Sequence, residues 1–135
     1  MKTYEDVADS IERWRTILHL EDWQIDIKQG VETPQAFAEM GMIPGRKVAV
    51  IHLSECFLDS KDSEQQEMSI LHELLHIYTR PIRDMAVEII EECKVSHDLI
   101  FAVNKATSIV MEYSNDSLTT IVFELTKKKK KGKGK

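Results

Sequence analysis

At the start of the chain apolar residues recur at the period of a helix. Tyr4, Val7, Ile11, Trp14, Ile17 and Leu18 fall three or four positions apart with polar residues between them, which predicts an amphipathic helix over residues 3–19. The period then changes. Trp23-Gln24-Ile25-Asp26-Ile27-Lys28 alternates apolar and polar, the pattern of a half-buried strand, and Gly30 ends it. Residues 30–46 hold three of the five glycines and two of the three prolines. They read as a loop with one short element around residues 35–40. Residues 47–53 are apolar on both faces and rich in β-branched side chains, which predicts a second strand.

Farther on the helical period returns and stays. Ser63-x-x-Gln66 has the form of a capping box, and Met68, Leu71, Leu75 and Tyr78, with Ile70, Leu74 and Ile77, give the helix behind it a wide apolar face. Pro81 is expected to stop that helix close to Arg80, because its ring excludes the preceding turn. Residues 82–111 continue at helical spacing, which one long helix or two consecutive ones fit equally well. Leu118, Ile121, Val122 and Leu125 predict a last helix. The fold class that follows is α+β, a small sheet among helices.

Composition narrows the class of protein. A chain of 135 residues with 42% apolar and 30% charged residues has the size and balance of one globular domain. The longest uninterrupted apolar run, residues 99–103, is five residues against the ~20 needed to cross a bilayer. The first six residues turn acidic at once, with no apolar stretch of signal-peptide type, so a cytoplasmic location is expected. Cys56 and Cys93 stand far apart with no Cys-x-x-Cys spacing. Two reduced thiols, partly or wholly buried, are expected, not a disulfide framework.

The net charge of −5 conceals an asymmetry. Residues 127–135 hold seven of the 18 basic residues and none of the 23 acidic ones; eleven basic against 23 acidic residues leave −12 on residues 1–126. The lysine run is low-complexity and expected to be disordered. It offers weak, non-specific contact to nucleic-acid phosphates, since it has no aromatic residue to stack on bases; a solubilising tail is the plainer alternative.

The residues that carry chemistry lie in the helix that Ser63 opens. His72-Glu73-Leu74-Leu75-His76 fits H-E-x-x-H. Residues i and i+4 sit one turn apart on one helix face, so both imidazoles can turn to one metal ion. The Glu beside the first His can take a proton from the water that such a metal activates. Leu74 and Leu75 lie on other sides of the helix, where they would anchor it.

The stretch Met68-Ser69-Ile70-Leu71-His72-Glu73-Leu74-Leu75-His76-Ile77 resembles the active helix of zincin metallopeptidases. The order of helix, Trp-Gln-Ile-Asp-Ile strand, apolar strand, H-E-L-L-H helix and helical remainder is similar to the small, gluzincin-like minimal zincins of phages and bacteria, relatives of the ImmA/IrrE type. The resemblance covers residues 1–126 and implies a zincin-like fold, a bound Zn²⁺, a downstream carboxylate as third ligand and hydrolysis of peptide bonds in a peptide or protein substrate. Metzincins are excluded, because Thr79 and Ile82 stand where they need Gly and His. The small endoribonucleases with three zinc histidines are excluded too, since no His follows between Ile77 and Ile82.

The third ligand is then sought among later acids. Glu112 follows Ile109-Val110-Met111 and precedes Tyr113; a carboxylate in apolar company is costly to bury unless a cation pairs with it. Asp116, one turn on, is its rival or a residue orienting a ligand from behind. Glu88, Glu91 and Glu92 cluster as a solvated face does, and Cys93 with His97 makes a further i, i+4 pair. His52 reads as a strand surface residue. The strand over 47–53 takes a role from the resemblance alone, since zincins commonly hold an extended substrate along an edge strand.

The expected activity is thus peptide hydrolysis with His72, His76 and Glu112 on zinc and Glu73 as base. The alternative is a metal-containing binding protein that does no catalysis and acts on a host or phage partner. Glu73 separates the two, because a purely structural site needs the histidines but not the base.

Overall fold

The computed structural model describes residues 3–132 and 134. They fall into two compact units, Met1–Leu74 and Leu75–Lys135.

In the first unit, α1 spans Tyr4–Ile17, β1 Gln24–Gln29, β2 Ala38–Met42, β3 Val48–Leu53 and α2 Glu55–Asp59, and α3 begins at Ser63. Thr3 caps α1 through a reciprocal pair with Asp6, whose N–H donates to the Thr3 hydroxyl at 3.2 Å while the Thr3 N–H donates to the Asp6 carboxylate at 2.7 Å. The helix closes in a Schellman turn: His19 takes φ 56°, and Leu20 N–H reaches back to the Arg15 carbonyl at 2.8 Å. Leu20 is thereby delivered to the core with Val7, Ile11 and Trp14.

The three strands are ordered β1-β3-β2, with β1 parallel and β2 antiparallel to β3. Ala49, Ile51 and Leu53 are fully buried while Val48, Val50 and His52 are half-buried. A strand whose sequence is apolar on both faces therefore still has one core side. Two expectations change here. The short element in the glycine-rich loop is strand β2, which starts three residues beyond the expected start. And β3 is the central strand, so both its edges are already paired and it cannot hold a substrate along an edge. On its outer side, His52 stands between Lys28 and Glu39 in register, and its Nδ1–H donates to the Gly30 carbonyl at 3.1 Å.

In the second unit, α3 continues to Glu92 and α4 runs His97–Gly132. Pro81 lies inside α3 instead of ending it. Pro81 is exposed, so its ring meets solvent and the cost is confined to one lost backbone bond and local crowding, about 3 kcal/mol. The helix ends where Lys94 adopts φ 52°, a conformation that turns the chain out of the helical path. Residues 82–111 are thus shared between two helices, and the expected last helix is the continuation of α4. Composition predicts disorder from residue 127, yet α4 carries through the lysines to Gly132. Lysine is a good helix former, and cations at a helix C-terminus are favoured by its dipole. Lys133 and Lys135 lie outside the described residues.

Side chains tie the two helices of this unit together. Arg83 donates to Ser108 at 3.2 Å and to Asn104, and the Thr79 hydroxyl meets Asn115 Oδ1 at 3.0 Å. Among the described residues no helix is long and apolar enough to cross a membrane. Cys56 and Cys93 are both exposed, against the expectation of burial. Each lies at or beside a chain turn, Cys56 in the first turn of the short α2 and Cys93 just past α3, where little packs over a side chain.

Candidate metal centre

The helix that carries the motif is fixed at its start by residues other than those expected. Asp62, not Ser63, is the cap: its carboxylate accepts from Gln65 N–H at 3.0 Å, and its carbonyl accepts from Gln66 N–H at 3.1 Å. Gln66 does not reach back to close a capping box. Its side chain is buried, 1% exposed, and Nε2 donates to the Phe57 carbonyl at 2.7 Å. One residue on, Glu67 accepts from Trp14 Nε1 at 2.8 Å and also from Ser10 and Arg13. A half-buried carboxylate with three donors from α1 holds α3 against that helix. Sequence reasoning passed over Glu67, because a charged residue in a helical pattern reads as its wet face.

One turn later the motif begins, flanked by core. Ile70, Leu71 and Leu74 are fully buried, and Leu75 and Ile77 are at most 5% exposed. They fix the rotation of the helix, which sets where its polar residues stand. His72 is half-buried, Glu73 is 8% exposed and His76 4%. The candidate ligand atoms of these three lie within 4.8 Å of one another. Two imidazoles and a carboxylate sunk to this depth cost free energy unless hydrogen bonds or a cation offset their lost hydration.

In the second unit, Glu112 Oε1 lies 3.3 Å from His76 Nε2. Two ligand atoms on a tetrahedral zinc, each ~2.0–2.1 Å from the ion, stand about 3.3 Å apart. The separation therefore suits two atoms that share one metal, and the donor set of imidazoles and carboxylate fits zinc. Glu112 is not, however, the buried carboxylate that its apolar neighbours lead one to expect. Its side chain is 51% exposed, and its neighbours Ile109, Val110 and Tyr113 are exposed as well. The apolar residues around it mark no buried face; Glu112 reaches His76 from the rim.

The rivals are distributed as follows. Asp116 is exposed and lines a shallow hollow of about 260 Å³ with Ser108, Ile109, Glu112 and Tyr113. Glu88, Glu91 and Glu92 are exposed near the end of α3. Cys93 lies past the end of α3 and His97 opens α4, so the two are not on one helical turn and the i, i+4 pairing does not exist.

Glu39 shows how the sheet side differs. Burial pushes its carboxyl up, but the N–H groups of Glu32 and Thr33, the Thr33 hydroxyl and the nearby His52 together hold it below its ordinary value. Its partners all lie in the loop before β2 or on β3, so it serves the loop and not the motif. Compared with protein-family models, with curated proteins and with solved structures, the chain matches none.

Proposed function

We propose that the chain is a zinc-dependent metallopeptidase of the minimal zincin type, with His72, His76 and Glu112 as protein ligands and Glu73 as general base. The observation that carries this reading is the turn over residues 72–76, where two imidazoles and a carboxylate gather their donor atoms within 4.8 Å on a helix clamped by core residues. The 3.3 Å approach of Glu112 to His76 adds a fourth donor of the right kind. When bound, zinc supplies a Lewis acid that polarises a carbonyl and makes water a better nucleophile at neutral pH.

The side chains divide the remaining work. His72 and His76 bind through imidazole nitrogen, and Glu112 contributes one carboxylate oxygen. Glu73 takes a proton from the attacking water as its oxygen adds to the carbonyl carbon of a peptide bond. When the C–N bond breaks, the same carboxyl returns that proton to the departing nitrogen, so Glu73 ends as it began. The substrate class is a peptide or protein.

Replacing Glu73 by Gln tests the assignment. Zinc content by elemental analysis should stay near one per chain, while cleavage in a peptide-library screen falls by ~10²–10⁴-fold. A reconstituted wild-type protein with almost no zinc would overturn the reading. Loss of zinc from Glu73→Gln alone would turn Glu73 from base into ligand.

A further inference from the structure

The two helices of the second unit leave an apolar side in water. On α3, Ile82, Met85 and Ile89 are between 56% and 66% exposed. On α4, Leu99, Val110 and Ile121 are between 45% and 63% exposed. Each set keeps a helical period, with steps of three and four on α3 and of eleven, three full turns, on α4. One residue of each stripe, Ile82 and Val110, meets at a groove of about 340 Å³ that Ala86 and Ala106 also line. Isolated apolar residues on a surface are ordinary; two aligned stripes with a groove between them are an unfinished helix layer.

We infer that this side is the interface of a homodimer, in which a second copy lays the same two helices antiparallel over the groove to complete a four-helix bundle. Extent, charge and spacing each support that occupant. The six side chains present roughly 100 Å² each, on the order of 600 Å² per copy and 1,200 Å² in all, the lower bound for a specific interface. The ends of the hairpin are oppositely charged. Its turn end carries Glu88, Glu91, Glu92 and Asp98 against one cation, Lys94, while the far end of α4 carries Lys127–Lys131 with no acid after Glu124. Antiparallel pairing sets each acidic end beside the other copy's lysines; parallel pairing would set like beside like.

The spacing agrees with the same arrangement. At 1.5 Å per residue, Leu99 and Ile121 lie about 16 Å to either side of Val110. A two-fold axis at the level of Val110 therefore brings Leu99 of one copy level with the partner's Ile121, apolar against apolar. Asp98 and the partner's Lys127 then differ in level by about 8 Å, within the combined reach of the two side chains. The inference is independent of the metal reading, since none of these six residues belongs to the motif.

Sedimentation equilibrium of the full chain from 1 to 100 µM tests it. The wild type should dimerise with a dissociation constant in the micromolar range, weakening as NaCl rises from 50 to 500 mM. Ile82→Glu, which introduces a charge at a site two-thirds exposed in the single chain, should keep its far-UV helicity and raise the dissociation constant ~10–100-fold. Orientation is read by thiol crosslinking in a Cys56→Ser, Cys93→Ser background. Leu99→Cys chains mixed with Ile121→Cys chains should form a disulfide-linked pair, and neither should crosslink alone. Within one chain the two positions are about 33 Å apart, so no internal disulfide competes. A wild type that stays monomeric at 100 µM overturns the inference and leaves the face to some other protein. So does a dimer indifferent to Ile82→Glu, or crosslinking of either single variant in place of the mixture.

Discussion

The two halves of α3 make an instructive pair. Both are apolar at helical spacing, and no boundary residue other than Pro81 divides them. Yet Ile70, Leu71, Leu74, Leu75 and Ile77 are at most 5% exposed, whereas Tyr78, Ile82, Met85 and Ile89 are between 48% and 66% exposed. The same amphipathic pattern thus forms core in one stretch and surface in the next. Periodicity reports that a helix has an apolar side; it does not report whether anything covers that side. The H-E-x-x-H motif stands at the end of the covered half, where His72 is half-buried and Glu73 and His76 are at most 8% exposed.

The largest effect should come from cutting into the covered half. Leu74→Ala should cost ~2–5 kcal/mol in urea denaturation, the range for a buried leucine whose cavity cannot collapse. The matching change in the open half, Ile82→Ala in dilute solution, should stay within about 0.5 kcal/mol. Equal costs would erase the distinction between the halves. A second experiment probes the boundary: Glu112→Ala should weaken zinc binding, read by chelator competition, by more than the ~10–100-fold expected of a residue behind the ligands. Asp116→Ala should fall within or below that range, and the reverse order would hand the ligand role to Asp116.

Smaller still is Gln66→Ala, which removes the shorter of two hydrogen bonds to the Phe57 carbonyl and leaves it the Ser60 N–H at 3.3 Å; it should cost about 1 kcal/mol at the entrance to the covered half. The smallest effect lies outside α3. Because the folded carboxyl of Glu39 is held below its ordinary 4.5, its contribution is complete above that value and disappears as pH falls through the lowered one. The protection factors of the Glu32 and Thr33 amides, exchange rates divided into the intrinsic rate at each pH, should therefore fall in acid before those of residues 70–77 change. Protection there that stays constant across that pH range would separate the loop from Glu39.

How much of this could be read beforehand depends on the range of the signal. The first helix, the two strands at 24–29 and 48–53, and the motif were legible because each is local, a period or a fixed spacing along the chain. Strand β2, with Gly41 in its middle and a loop-like composition before it, exists because β3 offers it an edge, and no local pattern encodes that. The capping residue was one position off because Asp62 and Ser63 are both good caps and only the turn geometry chooses between them. Pro81 was misjudged since its penalty is modest against the bonds of a 30-residue helix. Glu67 and Glu112 were the hard cases. Their partners, Trp14 and His76, are 53 and 36 positions away, and a carboxylate on a helix looks the same in sequence whether it anchors, ligates or simply faces water.

Pro81 has one more effect, on how the helix comes apart. In an α-helix each N–H bonds the carbonyl four residues back, so the carbonyls of His72, Glu73, Leu74, Leu75 and His76 are held by the amides of residues 76–80. The next rung would join residue 81 to Ile77, and proline has no N–H to make it. Every amide beyond Pro81 therefore bonds a carbonyl at Tyr78 or later. The open half of α3, thinly covered and cheap to unwind, can fray from Glu92 back to this missing rung without loosening a single backbone bond of the motif. An imperfection in the helix thus acts as a stop that confines unwinding of one end to residues beyond the motif's own backbone bonds.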